Sequence, residues 1–559
     1  MKREIIRMKR NILLAIGIMM ATITFAQPAA IQKAGRSVFT LTTFGADGAL
    51  LASTHGFFTS TDGQAVSSWK PFVGAVRAVA IDADGQQHEV EAIYGANELY
   101  DVCRFRVGGT TTAAPLAKSK AANGQKVWLV GYSLKKAPSK QYDVKSVETF
   151  MEQYGYYILN GKAAENNADC PVVNQNGEVI GLCQLAKTAD EAHVVDARFA
   201  NSFVTRGLSI NDAVLRQTDI RVALPDEINE ARLTLMMAGE KNDSAAYAGY
   251  VADFINQFPT AIDGYTARAQ QQLGQRRYAD VDATMAEAIS RCAAKDEAHS
   301  AYSTLIYQKE LYLADSTYTA WSLQRALDEA NTAYGINPQP IYQHQQAQII
   351  YALGNYEEAY KRFMELTKSS IRNGELFYEA AQSRTHLGAT TDEVISLLDS
   401  AIAVNPDQSI SAPYYLARGR MYDQAEQVRK AIADYNKYDT LMLGRGSADF
   451  YYIKFKAESR VRQFQQALND IAHAIVLDRL EPTYYAEMAA LQLRVNQLED
   501  AIRTADLGIQ LEPEYADLYI VKGIAHGELK QVAEAQQALT KAKELGDERA
   551  DGLLEKYKK

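Results

Sequence analysis

The residue types that could carry chemistry are few in this 559-residue chain and widely spaced. His55 and His193 lie in short β-branched runs, where a histidine ordinarily serves as a hydrogen-bonded structural residue. His299, His344, His386, His473 and His526 stand one to a segment along the second half, so they imply no metal cluster. No His-Glu-x-x-His, Cys-x-x-Cys, phosphate-cradling Gly loop or calcium loop occurs, and neither a metal nor a cofactor is expected. The four cysteines, Cys103, Cys170, Cys183 and Cys292, are too few for a disulfide framework in a chain of this length. Two of them share a hairpin. Residues 171–174 and 177–182 read as strands around an Asn176-Gly177 turn. A two-residue turn there faces Gln175 with Glu178 and brings Cys170 opposite Cys183. A cross-strand disulfide and a pair of buried thiols are both open at such a position.

The elements that must hold these residues change texture along the chain. From residue 35 to about 208, short β-branched runs alternate with Gly/Asp turns. Strands are expected over 37–44, 51–60, 64–68, 75–81, 89–94 and 102–107. Further strands are expected over 126–131, 142–147, 156–159, 171–174, 178–182 and 193–195. A dozen short strands without long helices predicts an all-β barrel pair or sandwich.

Three stretches of this region look like something specific. They are Gly56-Phe57-Phe58 with Thr61-Asp62-Gly63 leading into Val66-Ser67-Ser68-Trp69-Lys70, then Tyr100-Asp101-Val102-Cys103-Arg104-Phe105, then Asp169-Cys170-Pro171 running through to Gly181. In order and spacing they resemble the His, Asp and Ser segments of trypsin-like serine proteases, above all the periplasmic bacterial branch. Val127-Trp128-Leu129-Val130-Gly131-Tyr132 is similar to a strand of that branch. The resemblance implies a double β-barrel over residues 35–208. It puts Lys70 at the general-base position, keeps Asp101 at the Asp position and puts Ala168 at the nucleophile position.

That triad chemistry needs a hydroxyl, an imidazole to take its proton and a carboxylate to orient the imidazole. A methyl group cannot attack a carbonyl. Asn166, Asp169 and Cys170 also replace the glycines that shape the family's oxyanion turn, so the resemblance implies a pseudoprotease with no catalytic residues, in which Lys70 and Asp101 form an ion pair. The alternatives are an active endopeptidase with displaced residues, Ser67 or Ser68 acting as nucleophile, or Cys170 served by Lys70. A third reading makes the barrels a structural cap.

From residue 226 to 546 a period of 34 emerges: Gly523, Ala535 and Ala542 recur as Ala489, Ala501 and Gly508, then as Phe455, Ala467 and Ala474. Leu353-Gly354-Asn355-Tyr356-Glu357-Glu358-Ala359 carries the same motif upstream. This closely resembles the tetratricopeptide repeat, and the resemblance implies an all-α solenoid of about nine helical hairpins, with small residues where two helices cross. Insertions are expected near Arg276 and at 313–318, and a tail at 547–559. In the family's register, His344, Gln348, Tyr351, Arg420, Tyr452, Lys456, Arg460 and Arg494 face inward, to read a peptide or an acidic motif or to stand as a solvated polar face.

The first residues read as an export address: a basic start, an apolar run over 12–25 and small residues ahead of Gln27 predict a signal peptide over 1–26, and so a periplasmic, cell-surface or secreted protein. After cleavage no transmembrane segment is expected. The net charge of -9 argues against nucleic acid as a partner. Protein or peptide partners are the expectation.

Overall fold

The computed structural model describes residues 29–185, 190–241, 243–313 and 315–558, so the expected signal peptide lies outside the described residues. The chain divides into two compact units, Met1–Ala293 and Ala294–Lys559.

In the first unit all twelve expected strands form. Val38–Phe44 (β1), Leu50–Phe58 (β2), Gln64–Ser67 (β3), Arg77–Ile81 (β4), Gln87–Asn97 (β5) and Val102–Val107 (β6) close a barrel in the order β1-β2-β3-β6-β5-β4. Lys126–Val130 (β7), Ser139–Phe150 (β8), Tyr154–Asn160 (β9), Pro171–Val173 (β10), Val179–Leu185 (β11) and Glu191–Asp196 (β12) close a second, β7-β8-β9-β12-β11-β10. Both are antiparallel and have the same connectivity; closure leaves neither with a free edge.

The strands read as nearly continuous apolar runs where both faces are covered. Phe57 and Phe58 are fully buried neighbours on β2 and point to opposite faces. Phe58 packs with Phe39, Trp69, Phe72 and Phe105 inside the first barrel. Phe57, with Val38, Val66 and Val102, packs into the core that holds Val127, Leu129, Tyr157, Val172 and Val194 of the second. The two barrels therefore share a seam, and the ends of β2, β3, β6 and β10 meet along it.

The β10–β11 hairpin departs from expectation at its turn and agrees at its base. Asn174 and Glu178 pair through the backbone, so the turn holds three residues, Gln175, Asn176 and Gly177, rather than two. A bulge after Val172 then returns the register, Pro171 faces Leu182, and the Cys183 amide donates to the Cys170 carbonyl. Cys170 does lie opposite Cys183, and both are buried free thiols rather than a disulfide.

Past the barrels, Ile93 pairs with Val222, tying the linker to β5. Two helical hairpins complete the first unit, Ile228–Gly239 with Ser244–Gln257 and Ile262–Gly274 with Tyr278–Arg291. Asp253 in the second helix accepts from Arg106 of β6 and Arg221 of the linker, an ion-paired tie between barrel and helix.

The second unit is an all-α solenoid of seven more described hairpins, from Lys295–Tyr312 with Leu323–Ile336 to Ala516–Glu528 with Val532–Glu544. The small residues do what the period requires. Ala467, Ala489, Ala501 and Ala535 are fully buried, and a Cβ on Gly419 would stand 2.6 Å from the Tyr435 ring of the partner helix. The turns inside six of these seven hairpins share one conformation. Gly354, Gly388, Glu426, Arg462, Asn496 and Lys530 all take positive φ there. Arg276 of the first unit does the same, and Gln275, Arg276 and Arg277 alone separate its two helices, so no insertion exists at that point; the expected one at 313–318 is a real loop. The tail is not featureless: Arg549–Lys556 is helical, and buried Ala550 and Tyr557 pack with Ile520 and Leu539 of the last hairpin. No helix among the described residues is long and apolar enough to cross a membrane.

Candidate functional site

Lys70, Asp101 and Ala168, the residues expected at triad positions, come together at the seam between the barrels, but not as an acid–base relay. Lys70 Nζ lies 2.9 Å from Asp101 Oδ2. The lysine side chain is 77% exposed and the aspartate 18%, so the pair is a rim contact rather than a buried one. Asp101 Oδ1 accepts from the amides of Trp69 and Lys70, each at 2.9 Å. The carboxylate thus fastens the start of the short 3-10 turn Lys70–Phe72 to the approach of β6.

Behind this pair sits a second carboxylate that sequence reasoning treated only as a lost glycine. Asp169 Oδ2 accepts from Thr54 Oγ1 on β2 and from Ser68 Oγ after β3, both at 2.6 Å. Burial pushes its carboxyl up to about 6; the two hydroxyls pull the other way, while Asp101 raises it further. His55 Nδ1 lies 3.2 Å from the Ala168 carbonyl. Burial lowers the His55 pKa and the Ala168 carbonyl opposes that, so the neutral ring is favoured. Asp101 and Asp169 both adopt left-handed backbone, φ 50° and 60°, a conformation that aspartate tolerates better than most side chains.

The displaced nucleophiles are all engaged. Ser67 Oγ donates to the His55 carbonyl at 2.5 Å, and Ser68 Oγ, nearly fully buried, is spent on Asp169. Burial raises the Cys170 thiol far above neutral and the Cys183 thiol up to about 12, which keeps both protonated. The amides around Ala168 are also committed. Ala168 N donates to Glu165 O, Asp169 N to Cys183 O and Cys170 N to Asn167 O. A backbone donor pointing at its own chain cannot hold a developing oxyanion.

In the helical unit the eight positions expected to face inward differ in what they touch. Most tie one hairpin to another. His344 Nε2 and Gln348 Nε2 close on the two oxygens of Glu379, 35 and 31 residues on, at 2.6 and 2.8 Å. Burial opposes the His344 charge, yet the Glu379 contact outweighs it and the pKa is raised. The Tyr452 hydroxyl reaches Glu487, Lys456 lies over the Tyr452 ring, Arg494 lies over Phe464, and Arg460 bridges Asp423 and Glu426. The acids in these ties were legible only as surface charges, although the offset of 35 between His344 and Glu379 recurs between Asp449 and Tyr484.

Lys456 stays on its own helix, and two positions remain: Tyr351, whose ring meets His386 of the next hairpin edge-on at 5.7 Å, and Arg420. They share a cavity of about 220 Å³ with residues from the helices Gly374–His386 and Thr391–Val404, and Arg420 is exposed with no ion-pair partner among the described residues. No group of three or more His, Cys, Asp or Glu suited to a metal ion occurs among the described residues. No protein-family model matches the chain, and no curated protein matches it.

Proposed function

We propose that this chain is an exported protein-interaction scaffold, in which a trypsin-like double barrel without catalytic power is joined to tetratricopeptide-like hairpins that hold a protein or peptide partner. The observation that carries the reading is the state of the seam. Lysine and alanine stand where imidazole and hydroxyl are needed, and the nearest serine hydroxyl is bound to a carboxylate. Identical connectivity in two six-stranded barrels supports the kinship with the protease fold. The buried small residues at a 34-residue period support the kinship with the repeat family.

With the barrels silent, the surface left to act is the row of inward-facing side chains on the first helix of each hairpin, and protein binding is what such a row does. Casein turnover by the purified mature chain tests this directly. No hydrolysis above buffer is expected; hydrolysis that disappears in Ser68→Ala would replace the scaffold by an endopeptidase with a displaced nucleophile.

A further inference from the structure

One cavity of the helical unit is lined by donors that have no acceptor among the described residues. Tyr351, Tyr378, Gln382 and Arg420 line the cavity of about 220 Å³, and Val394 and Leu398 form part of its apolar floor. These six residues come from four helices of three successive hairpins: Pro340–Ala352, Gly374–His386, Thr391–Val404 and Ala412–Gln424.

The polar atoms of this cavity differ from several arginines close by. Arg418, two residues from Arg420, is held by Asp399 and Asp434. Arg384 pairs with Glu393, Arg362 with Glu358 and Arg460 with Asp423. Glu379, the acid nearest by sequence to the cavity's Tyr378, is already closed by His344 and Gln348. Arg420, the Tyr351 and Tyr378 hydroxyls and the Gln382 amide have no side-chain hydrogen-bond partner among the described residues.

We infer that this cavity seats one large apolar side chain of a partner peptide while Arg420 pairs with a carboxylate on the adjacent residue. The inference rests on the reading of the helical unit as a peptide-binding surface and adds the class of peptide. An apolar floor takes a side chain through burial. A guanidinium with no partner of its own pairs a carboxylate with two parallel hydrogen bonds, at no cost in broken internal ion pairs. The tyrosine hydroxyls and the Gln382 amide supply further donors to the same oxygens or to the peptide backbone. The sites tied off by internal acids, at His344 and Arg460, lack that freedom.

The test is selection of a random-peptide phage library on the full chain, followed by fluorescence polarisation with the synthesised consensus peptide. The expected consensus pairs Asp or Glu with Phe, Leu, Met or Tyr. Arg420→Gln, which breaks no internal bond, should weaken that peptide about tenfold or more. Replacing the peptide's acid by its amide should weaken wild type by a similar factor and leave Arg420→Gln little changed. Ala417→Trp, which fills the cavity, should abolish binding while far-ultraviolet circular dichroism stays native. Enriched peptides without an acid, equal affinity for Arg420→Gln, or no enrichment would each overturn the inference. Peptides that bind the Arg420→Gln and Ala417→Trp chains unchanged would do so while leaving the scaffold reading intact. That reading fails separately, through hydrolysis by the barrels.

Discussion

The seam of the barrels and the inward row of the helices solve the same problem, how to hold polar side chains at a surface, in opposite ways. At the seam, Thr54, Ser68, Lys70, Asp101 and Asp169 arrive from four separate stretches of chain and meet once. In the helical unit the same kinds of tie are struck repeatedly at constant offsets. Arg418 meets Asp434 and Lys454 meets Asp470, each 16 residues on, and His344 meets Glu379 and Tyr452 meets Glu487, each 35 residues on. Neither Lys70 nor Ala168 belongs to the core of either barrel, so both barrels close without help from these two side chains. In the solenoid the 16-residue ties close a single hairpin, and the 35-residue ties run from one hairpin to the next.

Each region also holds one carboxyl that its surroundings push toward the neutral form, and these make the sharpest comparison. Glu458 is buried beside Asp470; burial first and that neighbour second push it up to about 8. Its unfolded value is ordinary, so the folded state binds the extra proton. The stability this contributes is whole below the unfolded pKa and is lost as pH rises to about 8. Glu458→Gln, whose amide can donate to Asp470 as the protonated acid does, should stabilise the chain at pH 9 by on the order of 2–3 kcal/mol and change little near pH 4. Asp169 follows the same sign over a narrower window, lost as pH rises to about 6. Asp169→Asn should add about 1 kcal/mol at pH 7, reduced by the solvent that reaches this partly exposed group. Urea unfolding of both variants across pH checks the order; an equal gain in both would dissolve the contrast.

Gly419→Ala attacks the crossing inside a hairpin. Its Cβ would meet the buried Tyr435 ring at 2.6 Å, and a loss of about 1–3 kcal/mol is expected in urea unfolding. At the seam the corresponding cut is Asp101→Ala, which strands two backbone amides and should cost about 1–2 kcal/mol. Lys70→Ala, at the exposed end of the same pair, should cost less than about 0.5 kcal/mol. Comparable losses at Lys70 and Asp101 would mean that the ion pair, not the amide cap, is the structural element. The smallest effect is a gain. Arg462→Gly and Lys530→Gly, at left-handed turn positions that Gly354 and Gly388 fill elsewhere, should each raise stability by about 0.5–1 kcal/mol.

What was legible follows from the same contrast. Local runs set the strands, and the period set the hairpins, so both could be read along the chain; Cys170 faces Cys183 as counted because a third turn residue and a bulge cancel. Counting failed where a bulge compensated a longer turn, and at Arg276, where a left-handed residue in a tight turn looked like extra chain. The Lys70–Asp101 contact followed from a resemblance. The role of Asp169 did not, because nothing near Asp169 in sequence names Thr54 or Ser68 as its donors. The acids that occupy His344 and Arg460 were equally hidden, since a glutamate on a helix reads as solvated until its neighbour hairpin is placed.

The central claim is that the seam holds no activated nucleophile. Intact-mass analysis of the purified chain after exposure to a fluorophosphonate serine-hydrolase probe tests it most directly. The account predicts an unchanged mass, with Ser67 and Ser68 unmodified. A single adduct mapped to either serine would contradict it and make the barrels an enzyme.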